Sequence, residues 1–272
     1  MTAPGATPPP RRRSRPPLLA VGLATTATLF FVLPLAGLLW RAPWSSLARD
    51  LGAPEVRTAL RLSLVTSLAA TAVAFVLGVP LAWVLARVEF PGRRLLRALT
   101  TLPMVLPPVV GGVALLFAFG RRGLLGQWLD STFGIRLPFT TAGAVMAEAF
   151  VAMPFLVITT EAAFRTLDRR YEEAARTLGA SRWTVFRRVT LPLAGPALAA
   201  GGVLCWARAL GEFGATITFA GNFPGTTQTM PLAVYLALER GSDSAIVLSL
   251  VLLAVSLGVL VSLRDRWLGL PS

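Results

Sequence analysis

Charged residues along the chain fall into clusters separated by long apolar stretches. Residues 18–40, 62–86, 98–120 and 245–263 carry no charge; residues 137–160 carry only Glu148, and residues 191–220 only Arg208 and Glu212. Each run matches or exceeds the ~20 residues with which a helix crosses a ~30 Å hydrocarbon layer, so the pattern predicts six transmembrane helices. Residues 230–238 are apolar but too short to cross and predict a short interfacial or re-entrant helix. Residues 1–17 are basic and proline-rich without periodicity, which predicts a disordered cytoplasmic tail. Arg11, Arg12, Arg13 and Arg15 before the first apolar run also fit a signal peptide. At 23 residues, however, residues 18–40 exceed the usual ~7–15-residue signal core, so they are read as the first span. The expectation is an all-α integral membrane protein with one membrane domain over residues 18–264 and a short tail at 265–272.

A polar island at residues 165–191 interrupts this pattern. Tyr171, Ala174, Ala175 and Leu178 lie at i, i+3, i+4 and i+7 and form one apolar stripe, with Arg169, Arg170, Glu172, Glu173 and Arg176 around the rest of the helix. Asp168 suits its N-cap and Gly179 its left-handed end. Ser181 caps a second helix in which Trp183, Phe186 and Val189 share a face, and Pro192 falls in the first turn of the next apolar segment. On periodicity alone the island is an amphipathic surface loop.

Composition narrows the chemistry. Of 272 residues 54% are hydrophobic and the mean hydropathy is +0.67, which leaves no soluble domain. The chain has no lysine and no G-x-x-x-x-G-K-[ST] loop, so ATP and its magnesium belong to a partner and no cofactor is expected here. With no histidine and one cysteine, Cys205, zinc sites, Cys/His nucleophiles and internal disulfides lack ligands. The net charge of +13 reads as topology and anionic lipid contact rather than nucleic acid. With the N-terminus inside, seventeen arginines fall on cytoplasmic segments and eight outside, with Arg208 in the membrane. This bias puts both termini and the polar island in the cytoplasm.

Three features inside the apolar runs are candidates for a pathway. Pro103, Pro107, Pro108, Gly111 and Gly112 interrupt the third span; such a segment either kinks inertly or lines a cavity. Arg208 and Glu212 lie four apart, with Gly211 between them, so on one helix they share a face and pair, either at a gate or as a packing lock. Glu148 is a carboxylate with no partner visible in sequence, and Glu161 sits at the membrane edge, where it is read as solvated.

The island also carries a spaced pattern. Glu173, Ala174 and Ala175, then Gly179, then Val189, Leu191 and Pro192 resemble the EAA loop of bacterial ABC importer permeases. Residues 207–235, with the core R-A-L-G-E-F-G-A-T, a G-N-x-P-G turn and a T-x-T-x-P step, are similar to the molybdate permeases and more loosely to the sulfate/thiosulfate permeases. LPMVLPPVVGG is typical of the same group. The resemblance spans the chain after residue 55. It implies a type I importer permease in a bacterial inner membrane: a homodimeric channel for an oxyanion, with two ATPase subunits below and an extracytoplasmic binding protein above. The seven matched loop residues would couple to the ATPase, with Glu173 on one of its basic residues. Arg208, Gly211, Glu212, Glu148, Pro107 and Pro108 would belong to the pathway. The basic tail and the threonine-rich residues 226–229 depart from the family pattern. Tungstate or sulfate is the alternative cargo. A proton-coupled transporter using Glu148 and Glu212 leaves the EAA spacing unexplained, and a membrane enzyme using Glu148, Glu161 or Glu212 lacks histidine and clustered ligands.

Overall fold

The structure, a computed structural model, describes residues 17–240 and 244–267. The expected N-terminal tail, Pro17 apart, and the C-terminal tail beyond Trp267 lie outside the described residues. The chain forms two units, divided after Ala42. The first holds α1 (Leu18–Trp40), whose Thr25, Thr26 and Thr28 hydroxyls donate to the carbonyls of Val21, Gly22 and Ala24 at 2.9, 3.1 and 2.8 Å. These back-bonds leave no unpaired hydroxyl donor on the helix, as a hydrocarbon environment demands.

The second unit is also helical, with no strand among the described residues. It runs through α2 (Leu47–Leu51), α3 (Pro54–Arg87), α4 (Arg93–Val105), α5 (Pro108–Phe119), α6 (Gly126–Phe133) and α7 (Thr141–Thr166). It continues with α8 (Arg169–Thr177), α9 (Arg182–Val185), a π-helical turn (Phe186–Thr190), α10 (Leu191–Leu193) and α11 (Gly195–Leu210). It ends with α12 (Gly214–Phe219), α13 (Met230–Glu239) and α14 (Ser244–Trp267). Among the described residues α1, α3 and α7 are each long and apolar enough to cross a membrane, and the bent α9–α11 segment makes a fourth if counted as one span.

Helices α3, α7 and α11 form the centre. Ala70, Ala74 and Ala82 of α3 meet Ala149, Ala152 and Leu156 of α7 and Cys205 and Ala209 of α11. Lipid tails are as apolar as these side chains, so burial alone does not drive association; small residues let the backbones approach until dispersion contacts hold them. A row of hydroxyls on α3 adds direction. Ser63 Oγ accepts from the Met230 N–H of α13 at 2.7 Å, the Thr66 hydroxyl donates to Glu148 of α7 at 2.8 Å, and Ser67 Oγ accepts from the Trp206 Nε1–H of α11 at 2.9 Å. At i, i+3 and i+4 the three share one face.

Two apolar runs divide where a single span was expected. Residues 98–120 split at Leu106 and Pro107, both extended, because Pro107 and Pro108 offer no N–H to the carbonyls of α4; Pro108 then opens α5. Residues 191–220 split twice: the segment Arg182–Leu193 bends by 73° into α11, and α11 ends at Leu210 before α12 begins. The two broken regions pack on each other. A Cβ at Gly112 of α5 would lie 2.7 Å from Thr218 Cβ and 2.9 Å from the Ala215 carbonyl oxygen of α12. Only a glycine permits that approach.

Gly112→Ala is therefore expected to destabilise the fold by about 1–3 kcal/mol through overpacking. Thermal unfolding in detergent should show a lowered midpoint for it and none for Gly22→Ala in α1, where an added Cβ meets nothing within 4 Å. Equal midpoints would contradict the close α5–α12 packing.

Candidate functional site

The membrane part of the site is built around the interruption between α11 and α12. Gly211 ends α11, and Glu212 follows outside both helices. Arg208 and Glu212 thus do not share one continuous helix, contrary to the expectation from their spacing. They pair across its end, with Arg208 Nη1 2.6 Å from Glu212 Oε2. The other carboxylate oxygen accepts the Ala215 N–H at 2.8 Å, capping α12. Interrupting the helix gives each charge a favourable dipole end: Arg208 lies in the last turn of α11 and Glu212 at the start of α12.

Glu148 of α7 accepts from Thr66 through Oε1, while its Oε2 has no hydrogen-bond partner among the described residues. Glu148, Glu212 and Thr216 are at most 1% exposed, and the Thr216 hydroxyl is also without a partner. A buried unpaired polar atom costs about 1–3 kcal/mol, so these oxygens mark where water or a polar solute would be held. Pro108 packs on the opening of α12: its Cβ would be 2.9 Å from a Cβ at Gly214. Pro107 is exposed. The threonine-rich loop serves itself: Thr227 Oγ1 accepts the Phe223 N–H at 2.9 Å, and the Thr226 carbonyl accepts the Thr141 hydroxyl at 2.8 Å. Among the described residues no group of three or more Cys, Asp or Glu could hold a metal ion.

The polar island folds as an elbow. Asp168 accepts the Arg170 N–H at 3.0 Å and caps α8. The helix ends with the Ala180 N–H donating to the Ala175 carbonyl at 3.1 Å and the Gly179 N–H to that of Arg176 at 2.9 Å, while Gly179 has φ +84°. This paired closure around a left-handed residue fixes the turn angle. Ser181 Oγ then accepts the Thr184 N–H at 3.2 Å and opens α9. Val189, Leu191 and Pro192 follow in the π turn and α10, which carry the chain into the bend before α11.

The apolar stripe of α8 turns away from the protein. Leu178 is 88% exposed, Trp183 of α9 67% and Tyr171 60%, and Ala174 and Glu173 are exposed beside them. What pins the elbow is a residue that the sequence pattern does not single out. Glu172, next to the E-A-A glutamate, is buried; its Oε1 sits 3.3 Å from Arg87 Nη2 at the end of α3 and accepts the Thr190 hydroxyl at 2.9 Å. Arg87 Nη2 also donates to the Leu167 carbonyl at 3.2 Å. No local sequence signal separates Glu172 from Glu173, since both fall off the outward stripe.

Glu161 is likewise not solvated. It is 6% exposed and takes Arg97 through Nη2 at 2.7 Å and Nε at 3.0 Å, with Arg165 at 3.0 Å. Arg93 Nε of α4 donates to the Leu85 carbonyl at 2.8 Å near the end of α3. These arginines tie α3, α4 and α7 together at one end, the end that carries the elbow.

Comparison with known proteins extends these observations. The family model for binding-protein-dependent transport system inner membrane components matches residues 74–269. The molybdenum transport system permease protein ModB of Mycobacterium tuberculosis is 47% identical over 243 residues, covering 89% of this chain and 92% of that one. The sulfate transport system permease protein CysT of Escherichia coli is 39% identical over 234 residues, covering 86% and 83%. A bacterial ABC transporter involved in the import of the acidic polysaccharide alginate shares the fold, with TM-score 0.73 at 21% identity over 92% of this chain and 94% of that one.

Glu212→Ala should cost about 3 kcal/mol, the low end for a broken buried pair because Arg208 is 28% exposed. The double variant Arg208→Met/Glu212→Met should unfold at a higher temperature in detergent than Glu212→Ala alone. A loss in the double variant equal to the sum of the losses in Arg208→Met and Glu212→Met would show that the pair is not coupled.

Proposed function

The chain belongs to the binding-protein-dependent transport system inner membrane components, and from that premise we propose that it is the permease subunit of an ABC importer for molybdate. It is a multi-pass inner-membrane protein working with an ATPase and a binding protein. The observation that carries the cargo assignment is the higher identity to a molybdenum permease than to a sulfate permease over a comparable share of the chain. Sulfate is the second reading for the same reason, at lower identity.

On this proposal two copies form the channel, both termini face the cytoplasm, and ATP and magnesium stay on the partner, so this chain itself catalyses nothing. The elbow of α8 and α9 docks on the ATPase. Its supports are the exposed Tyr171, Leu178 and Trp183, large apolar side chains that a solvated helix would not hold outward without a partner, and the exposed Glu173 beside them. Ala174 and Ala175 keep the stripe shallow enough for close approach, and Gly179 sets the angle through its left-handed backbone. Val189, Leu191 and Pro192 pass displacement of the elbow into the bent α11 segment.

The proposed pathway rests on Arg208, Gly211 and Glu212 at the break after α11, Pro107 and Pro108 at the break before α5, and Glu148 of α7. Arg208 neutralised by Glu212 presents N–H donors without a net charge, which suits an oxyanion that must leave again; discrimination then falls to the binding protein. Alternating access follows when ATP binding draws two ATPase subunits together and the docked elbows tilt the bundles.

In liposomes with the ATPase and binding protein, ATP hydrolysis should rise with molybdate-loaded and not with sulfate-loaded binding protein. Stimulation by sulfate alone would move the chain to the second reading. An added Cβ at Gly179 meets nothing within 4 Å, so the demand there is backbone conformation alone. Gly179→Asn, which tolerates the left-handed region, should keep most transport, and Gly179→Val should lose about tenfold, its backbone strain being ~1–2 kcal/mol. Equal transport by the two variants would remove the turn from the mechanism.

A further inference from the structure

The structure assigns a second anion site to this chain, separate from the pathway: a cytoplasmic cleft between the end of α3 and the elbow that takes a phosphate-like oxyanion. The cleft encloses about 330 Å³, ample for a tetrahedral anion. Arg87 of α3, Arg169 and Arg176 of α8 and Arg182 of α9 line it, with Trp83 on the apolar side. Arg169 and Arg176 stand seven apart on the side of α8 opposite the apolar stripe, and both are exposed.

Three carboxylates share the cleft, and their roles differ. Glu172 is engaged by Arg87 and Thr190. Glu89 and Glu173 are exposed and stay solvated when an anion enters. Arg87 is the anchor, with a side chain only 8% exposed. Among the described residues its Nε has no hydrogen-bond partner, and Nη2 meets Glu172 at a long 3.3 Å. A planar guanidinium offers five donors in a fork that matches an oxyanion, so Arg87 holds unused capacity in a buried position, where unmet donors are costly. Arg176 and Arg182 are exposed and close over the bound anion from the rim.

The ligand class has two sources, a free cytoplasmic oxyanion or the phosphate of an anionic lipid; Trp83 suits the second because indoles favour the membrane interface. Either occupant competes with Glu172 for Arg87 and so loosens the tether of the elbow. That consequence for transport rests on the docking role of α8; the site itself does not.

The test uses the full chain in nanodiscs of zwitterionic phosphatidylcholine, with equilibrium binding of radiolabelled inorganic phosphate at low salt. One saturable site per chain is expected. Arg176→Gln/Arg182→Gln, which changes only exposed side chains, should weaken it about tenfold or more. No saturable phosphate binding, or binding unchanged in the double variant, overturns the proposal. In discs containing phosphatidylglycerol, loss of phosphate binding identifies the lipid headgroup as the occupant, and retained binding identifies the free anion; both outcomes uphold the site. Neither readout needs the ATPase or transport, so failure here is distinguishable from failure of the importer reading. Where the elbow does dock, phosphate should lower stimulated ATP hydrolysis in the wild type and not in the double variant.

Discussion

The absence of water in the bilayer is the constraint on which this architecture depends, and the knot of Arg208, Glu212 and the Ala215 N–H shows how it is met. A helix cut at mid-membrane exposes carbonyls at one end and N–H groups at the other. Here one carboxylate answers an N–H of α12 with Oε1 and a guanidinium with Oε2, and the guanidinium stands over the carbonyl end of α11. Charge, cap and dipole compensate one another at one point. Neither charge would be tolerated on an unbroken helix facing lipid, and the break would not be tolerated without them.

The end of the bundle that carries the elbow uses the same means against a milder penalty. Arg87, Arg93 and Arg97 reach across helices to buried carboxylates or to carbonyls at or near helix ends, so the ends of α3, α4 and α7 are held as a block. The choice of arginine is physical. Its fork serves two acceptors at once, as Arg97 serves both Glu161 and the Leu85 carbonyl at 3.4 Å, where a lysine would offer a point charge. The lysine-free chain thus uses its positive charge to fasten its helices.

How legible these features were depended on range. The long apolar helices α1, α3 and α7 were readable because an uncharged or nearly uncharged run of about twenty residues matches the thickness of a bilayer and is rarely needed by a water-facing helix. The break before α5 was readable because two consecutive prolines cannot donate. The break after Leu210 was not: a lone Gly211 in an apolar run looks like a packing residue, and the turn there is fixed by Glu212 bonding to a backbone N–H of the next helix. The pairing of Glu161 with Arg97 links residues 64 apart, beyond any periodicity argument. The elbow's two helices and its glycine were legible from caps and stripe. Its anchor was not, because the pattern of known permeases draws the eye to Glu173, and only packing reveals that the neighbouring Glu172 faces inward.

Rigidity then decides what the elbow can transmit. Arg87, at the end of α3, holds Glu172, while Thr66, twenty-one residues earlier on the same helix, holds Glu148, and Ser67 holds Trp206 of α11. At 1.5 Å per residue the two attachment points lie about 30 Å apart along one helix. Pro80 removes a single hydrogen bond from that span, and α3 continues through it with alanines packed on α7 and α11 on either side. On the proposed docking role a tilt of α8 reaches Glu148 and the Trp206 contact as movement of one strut. Flexible side chains in series would dissipate it. Transmission through a strut requires the elbow's tether to outlast the load, and the tether is a single-nitrogen contact on a guanidinium with an unused Nε. On the proposed docking role this tether works beside the packing of Leu167, Phe186 and Leu191 on the core, and whatever occupies the arginine cleft acts on it directly.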